Sequence, residues 1–387
     1  MHTTIDHLSP EKAQELKMRY YQGESVFQLM DEYDIHVLPA TFYKLLPPDP
    51  VENYGCSRCE VNLVTNAVPR SKLGQQNDPL QYYCPVCGRK PFVEKSGWTV
   101  FPFLSKEERQ QKRLSIAEYY DKNISPVEYD ALSLTQKVYL AVLCKALLDK
   151  DNETILPLSG TNVTLAPTVE LQEKIYTELL KNKIIVVDSD SQLDAFDIDS
   201  DSFPKKYDRE KVSYKLNVIQ SQTDRVAPID IRNLLHIKHS GYDPEQEQLW
   251  YDIAVGECII YLQYRLGKVG FNFNPGERTK EVFRKLLKNF SVSQIYYIIW
   301  CKVSDAARSY LEGSATKYRA ASSVISACQR YGENAIYYAR ELPKYHRPSD
   351  CPQSVLTRFF YYEILKQGYQ ADNICIGQFT SFHNQER

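Results

Sequence analysis

Two Cys-x-x-Cys pairs, Cys56-Ser-Arg-Cys59 and Cys84-Pro-Val-Cys87, constrain this chain more than any other feature. Each pair lets two thiolates point to one centre from a tight turn. Two such turns complete a tetrahedron of four sulfurs, the closed geometry of structural zinc. Gly88, directly after the second pair, suits the positive φ such a turn often needs. The 24 residues between the pairs are easily looped out, because closure entropy grows slowly with length. A redox-active CxxC or a chance pairing is the alternative. Two pairs with matched flanks favour one Zn²⁺ held by Cys56, Cys59, Cys84 and Cys87. Four thiolates leave no open position, which points to a structural ion. The other six cysteines (Cys144, Cys258, Cys301, Cys328, Cys351, Cys375) are scattered singly, a pattern of reduced thiols and not of a disulfide framework.

With 387 residues the chain has room for two or three domains. Its 25% charged and 43% hydrophobic residues are those of an ordinary globular protein. A net charge of −2 excludes a bulk polyanion binder but allows local basic patches. The first residues lack the apolar core of a signal peptide, and no run approaches the ~20 apolar residues that span a bilayer. A cytoplasmic protein without membrane contact is expected. Charge is unevenly spread. Residues 56–95 carry six basic against three acidic residues, and residues 260–387 carry 18 against 10. Residues 150–201 carry four lysines against 11 acids. Such asymmetry hints at a basic surface that could meet phosphates.

The pattern of caps, breakers and periodicity predicts a mainly α, multidomain chain. Residues 1–50 read as a helix-turn-helix and residues 51–104 as a zinc ribbon. Residues 105–132 suit a linker helix. Residues 133–225 suit a winged-helix-like α+β module, and residues 226–387 an all-helical domain. In the first segment Ser9 is an N-cap and Pro10 sits at the first helical position. Gly23 stops that helix, Ser25 caps a second, and residues 41–46 form a short third helix ended by Pro47 and Pro48. In the middle segment, helices over 134–148 and 168–181 precede strands at 184–187 and 212–218. Residues 249–266, 277–289, 293–311, 317–341 and 353–366 carry apolar residues at helical spacing.

The four-cysteine arrangement resembles a zinc ribbon over about 40 residues, which implies a fold and not a function. The stretch LSPEKAQELKMRYYQGESVFQLMDEYDI, followed by ATFYKLLPP, resembles the C-terminal DNA-binding domain of serine recombinases (resolvases and invertases). Gly23, Ser25, Leu29, Thr41, Phe42, Tyr43, Lys44 and Pro47 fill that family's places. The resemblance covers a tenth of the chain, and no counterpart of the catalytic domain is recognisable, so recombination chemistry is not carried over. It implies a third helix in the major groove, with Ala40, Thr41 and Lys44 facing the DNA and Tyr43 near a phosphate or packed inside. It also implies a bacterial setting. The bland alternative for this segment is a three-helix interaction module. Arg58, Arg89 and Lys90 of the ribbon, and Arg284, Lys285 and Lys288 of a basic helix, would add phosphate contacts. A solvated amphipathic helix explains the last three equally simply.

Other constellations carry less. The acidic run from Asp188 to Asp201 lacks the glycine and terminal glutamate of a calcium loop, and a solvated loop between strands accounts for it. His236-Ile-Lys-His239 offers two imidazoles without further ligands. Tyr345-His346-Arg347-Pro348-Ser349-Asp350-Cys351 places His, Asp and Cys near each other in sequence only. No phosphate-binding, zinc-protease or nucleophile-elbow motif is present. The expected function is a zinc-containing, sequence-specific DNA-binding regulator or mobile-element accessory factor without catalysis. The C-terminal helices would bind a protein partner or self-associate. The alternatives are a protein-interaction scaffold built on the ribbon and helices, or a nucleic-acid enzyme with a dispersed site.

Overall fold

In a computed structural model that describes residues 3–74, 79–93, 99–100, 103–122, 124–150, 152–222, 225–228, 234–235, 237 and 243–377, the chain is mainly helical with small sheets. It divides into two units. The first joins Met1–Lys122 to Ser189–Val212, and the second joins Asn123–Asp188 to Ser213–Arg387.

The first unit starts with a three-element head. Ser9 accepts from the Lys12 N–H and Pro10 opens α1 (Pro10–Tyr21). Gly23, at φ 101°, turns the chain away. Ser25 precedes α2 (Val26–Glu32), but its hydroxyl makes no capping bond. The third element is a 3₁₀ helix, Pro39–Leu45, where the periodicity predicts a regular helix. Prolines at 39, 47 and 48 leave too few residues for a sustained i→i−4 ladder. Leu16, Leu29, Phe42, Tyr20, Ile35 and Leu46 form the buried core of this head.

Strand β1 (Asp49–Cys56) pairs antiparallel with β2 (Asn62–Thr65). Strands β3 (Phe92–Val93) and β4 (Thr99–Val100) pair with each other, and β5 (Phe103–Ser105) returns to β1, giving the order β2-β1-β5. The segment that follows β2 packs on the head. Ala67 sits among the head's buried residues, and the Tyr21 hydroxyl donates to the Val68 carbonyl at 2.8 Å. The Arg70 guanidinium lies 4.2 Å from the Tyr20 ring centroid. Helix α3 (Lys106–Tyr120) opens on a Ser105/Glu108 capping box and ends well short of residue 132.

Residues 189–212 are not the solvated loop that their aspartates suggest. Leu193, Ala195 and Phe196 are buried. Tyr120 of α3 packs against Phe196 and Tyr207, with centroids 6.0 and 6.3 Å apart. Apolar residues interleaved with the acids give the segment an inner face. Acids on its outer face find cations, as Asp197 does with Lys206 at 2.6 Å.

In the second unit β6 (Val127–Glu128) precedes α4 (Leu134–Leu147), which a Ser133/Gln136 box caps. Next come β7 (Thr154–Ile155), α5 (Val169–Lys181), β8 (Ile185–Val187) and β9 (Tyr214–Leu216). The three strands form an antiparallel sheet in the order β7-β9-β8. Strands β10 (Val218–Gln222) and β11 (Arg225–Pro228) form a hairpin, with β6 parallel to β10.

The remaining helices are α6 (Pro244–Lys268), α7 (Glu277–Leu286), α8 (Val292–Leu311), α9 (Lys317–Tyr337) and α10 (Val355–Phe359). A π-helical turn, Phe360–Ile364, continues α10, so the last predicted helix is present but irregular. Among the described residues no helix is long and apolar enough to cross a membrane.

The second unit buries a polar network. Glu257 of α6, fully buried, is ion-paired with Arg347 and accepts from the Thr357 hydroxyl. Removing one partner of such a pair strands a charge, at a cost of about 3–5 kcal/mol. Nearby, the Tyr361 hydroxyl donates to Asp372 at 3.0 Å and Gln353 donates to it at 3.2 Å. Burial raises the Asp372 carboxyl to about 6, against the opposing pull of Tyr361 and Arg347. A carboxyl with a raised folded pKa favours the folded state while protonated. That contribution is full below the unfolded value of about 3.9 and is lost as pH rises through about 6. Asp372→Asn is expected to flatten this slope and to add roughly 1–3 kcal/mol at about pH 7.5. Urea titrations at a series of pH values measure both, and an unchanged slope would discount Asp372.

Candidate metal centre

The two CxxC turns fold by the same rule. In the first, the Cys56 carbonyl accepts from the Glu60 N–H at 2.9 Å, and the Cys56 N–H donates to the Val61 carbonyl at 3.0 Å. In the second, the Cys84 carbonyl accepts from the Gly88 N–H at 2.9 Å, and the Cys84 N–H donates to the Arg89 carbonyl at 3.0 Å. The residue after each second cysteine is left-handed, with φ 55° at Glu60 and 69° at Gly88.

These turns are held face to face by the sheet. Cys56 ends β1 opposite Phe103 of β5. The second turn hangs from a bridge between Val64 of β2 and Tyr83, closed by hydrogen bonds of 2.9 and 3.0 Å. The four sulfurs all lie within 4.8 Å of one another, and Cys56 Sγ is 3.7 Å from Cys87 Sγ. Sulfurs at 2.3 Å from one tetrahedral ion are about 3.8 Å apart, so the cluster has the dimensions to hold one metal ion. Leu63 and Phe103 pack beside Cys56 and Cys84, which are buried, while Cys59 and Cys87 are half-buried.

Without a cation Cys56, Cys59 and Cys87 hold their protons unequally. Burial pushes Cys59 up to about 12 and also raises Cys56. At Cys87 burial acts upward too, but donation from the Arg89 backbone N–H and the neighbouring thiols brings it down to about 7. One thiolate is thus favoured and further ones are opposed. A bound cation removes that opposition, because all four sulfurs can then ionise.

The supporting residues were not legible in the motif. Glu60 adopts a conformation that glycine takes more readily, and its carboxylate is ion-paired with Arg113 of α3. Arg109 Nη1 donates to the Glu60 carbonyl at 3.0 Å. That guanidinium lies over Gly55, where an added Cβ would fall 2.1 Å from Arg109 Cζ. Helix α3 therefore locks the first turn from outside. The equivalence of Glu60 and Gly88 is the one sequence signal that could have found it.

The proposed DNA contacts are scattered. Ala40 and Lys44 are exposed, Tyr43 is half-buried against the head's core, and the Thr41 hydroxyl donates to the Leu38 carbonyl at 2.9 Å. Arg58 is exposed, 3.9 Å from Asp194. Arg89 is turned inward and donates to Ser57 Oγ at 3.3 Å, joining the two turns. Lys90 is exposed, with Nζ 5.5 Å from the Tyr83 ring centroid. In the second unit Arg284 pairs with Asp252 at 2.6 Å, while Lys285 is exposed on α7 and Lys288 is exposed just beyond its end.

His236 and His239 lie outside the described residues. Cys351 is buried and its thiol is raised by burial, the reverse of an activated nucleophile. Among the described residues the four cysteines are the one metal-capable cluster of His, Cys, Asp and Glu. In comparisons with known proteins, no family model, curated protein or solved structure matches the chain.

The purified protein is expected to carry about one metal ion per chain, as four-thiolate centres do. Cys84→Ser should release it and unfold residues 54–95 while leaving the second unit's helices intact. Elemental analysis and hydrogen exchange read the two effects. Full metal retention in that variant would sink the four-cysteine assignment.

Proposed function

We propose that the chain is a zinc-containing DNA-binding protein, cytoplasmic and without catalysis of its own. Its head would be a helix-turn-helix that reads duplex DNA, and the four-cysteine module a zinc ribbon that fixes the head's placement. The observation that carries this reading is the packing of the head on residues 67–70, the start of the segment that links the two cysteine turns, through Ala67, Tyr21 and Arg70. Zinc is the ion because four thiolates in a closed tetrahedron match its preference and its lack of redox chemistry. Within the head, Lys44 is the exposed cation on the element that would enter the major groove, and Ala40 and Thr41 flank it. A setting in bacterial gene regulation or mobile-element function follows from the recombinase resemblance alone.

The sheet order β7-β9-β8 beside α4 and α5 supports the winged-helix-like reading of the middle segment. Its helix α5 does not suit a DNA reader. Glu170, Glu173 and Glu178 outnumber Lys174 and Lys181 on it, and Lys174 is paired with Asp252 at 3.0 Å. The module would then serve as a scaffold for the helices that follow.

A second reading, the protein-interaction scaffold, has its own observation. Arg19 is bound by Glu24 and Glu32 at 2.8 and 2.7 Å, and both carboxyls fall below the usual range through that bonding. Lys17 is buried against Asp49 at 2.6 Å. The head thus spends two of its cations internally, while Phe27 and Leu38 are 71% and 74% exposed.

Selection of bound sequences from a random duplex pool separates the readings. The zinc-loaded protein is expected to enrich a motif, and Lys44→Ala to weaken binding to it by about 1–3 kcal/mol. Absence of enrichment, with no salt dependence of binding, would favour the scaffold. An unchanged affinity of the Lys44→Ala protein would remove Lys44 as a reader.

A further inference from the structure

The second unit exposes aromatic rings beside cations along one helical hairpin, a surface that the proposed duplex reader does not use. Helices α8 and α9 pack against each other, and a groove of about 330 Å³ runs along their outer seam. Small side chains form its floor, among them Ala306, Ser309, Ser323 and Ala327, and Lys302, Arg330 and Tyr331 stand at its side.

Beyond Tyr331 a chain of rings continues. Tyr331 is 6.4 Å from Tyr297, Tyr297 is 5.1 Å from Tyr345, and Tyr345 is 5.5 Å from Trp300. The interplanar angles are 66°, 67° and 55°, so none of these pairs is face-stacked. Trp300 is 37% exposed, although three of its neighbours in sequence, Ile298, Ile299 and Val303, are fully buried. The rings are held in place. The Tyr345 N–H donates to the Ser293 carbonyl at 2.9 Å, and Gln294 Nε2 donates to the Leu342 carbonyl at 3.3 Å. Cations accompany them. Lys302 Nζ lies 4.6 Å from the Tyr331 centroid, and Arg330, Arg340 and Lys344 are exposed. Residues 300–369 carry ten lysines and arginines against six acids, and they hold six of the exposed tyrosines: Tyr310, Tyr318, Tyr337, Tyr338, Tyr362 and Tyr369.

We infer that this hairpin face binds single-stranded nucleic acid, with bases stacking on Trp300 and Tyr345 and the backbone following Arg330 and Lys344, while Lys302 stays paired with Asp305 at 2.6 Å. Unpaired bases present apolar faces next to a polyanionic chain, and rigid rings interleaved with cations complement both at once. A duplex hides its base faces and would find only the cations. An apolar protein partner would have no use for the unbalanced positive charge. The inference concerns a different unit and a different ligand from the DNA reader proposed above, so either can fail without the other.

The test uses the full zinc-loaded chain and a fluorescent oligo-dT of about 20 nucleotides, with a duplex of random sequence as control. Polarisation is expected to show salt-sensitive binding of oligo-dT, tighter than that of the duplex. Trp300→Ala should weaken it by roughly tenfold, the loss of about one stacked base. Arg330→Glu, an exposed position that tests the surface without removing a ring, should weaken it and lower the salt slope. Lys44→Ala, in the first unit, should leave oligo-dT binding unchanged. Equal affinity for duplex and oligo-dT, or parental oligo-dT affinity in Arg330→Glu, would overturn the inference. So would the absence of oligo-dT binding. Loss of oligo-dT binding in Lys44→Ala would transfer the single strand to the head and overturn it too.

Discussion

Four sulfurs crowded within 4.8 Å are the constraint on which the first unit rests. As thiols they bury poor hydrogen-bonding groups, and as thiolates they repel one another. A bound cation would resolve the conflict, and its binding free energy would become folding free energy for the segments that bring the sulfurs together. Those segments have little else to hold them. Strands β2, β1 and β5 are short, and the sheet's buried cluster is small, with Leu63 and Phe103 its fully packed apolar side chains beside two of the cysteines. A core of that size does not offset the ordering of a long irregular loop.

Because the centre is small, its surroundings share the task. Helix α3 reaches the first turn through Arg109 and Arg113, and the head reaches the sheet through Tyr21 and Arg70. Arg113 also donates to the Ser191 carbonyl at 2.7 Å, which brings residues 189–212 to the same helix. A single helix thus ties together pieces far apart in sequence. The left-handed Glu60 fits this picture. Its backbone conformation costs about 1 kcal/mol relative to glycine, and the ion pair with Arg113 needs a carboxylate at that position, which glycine would not supply.

What the sequence disclosed follows from how local each signal is. The CxxC turns, Ser9 with Pro10, Thr168 before α5, and the apolar spacing of α6 to α9 are local, and the structure carries them. The third head element and its proline boundaries are legible too, but the prolines at its ends leave it a 3₁₀ helix, a distinction that so short a stretch does not announce. The aspartate run was misread because composition outweighed the buried Leu193, Ala195 and Phe196 that lie between its acids. Long-range features left no local trace. Nothing near Glu257 in sequence announces Arg347, and nothing near Gly55 announces Arg109.

The same distinction governs the reading of charge. Counting lysines and arginines along a sequence treats each as available, but an ion pair with a carboxylate lowers the field it presents to a phosphate. Lys17, Arg19 and Arg284 are paired in this way, and Arg89 is turned toward Ser57. Segments that looked basic by composition therefore differ in what they offer. The head, with its arginine held between two glutamates, offers the exposed Lys12 and Lys44. Arg330 on α9, and Arg340 and Lys344 in the segment that follows it, are exposed beside aromatic rings. Lys302, though paired with Asp305 at 2.6 Å, also covers the face of Tyr331. A polyanion responds to cations in reach, and a base responds to a ring face in reach. By both criteria the hairpin is a better-placed surface than the basic helix α7, whose amphipathic sequence first drew attention.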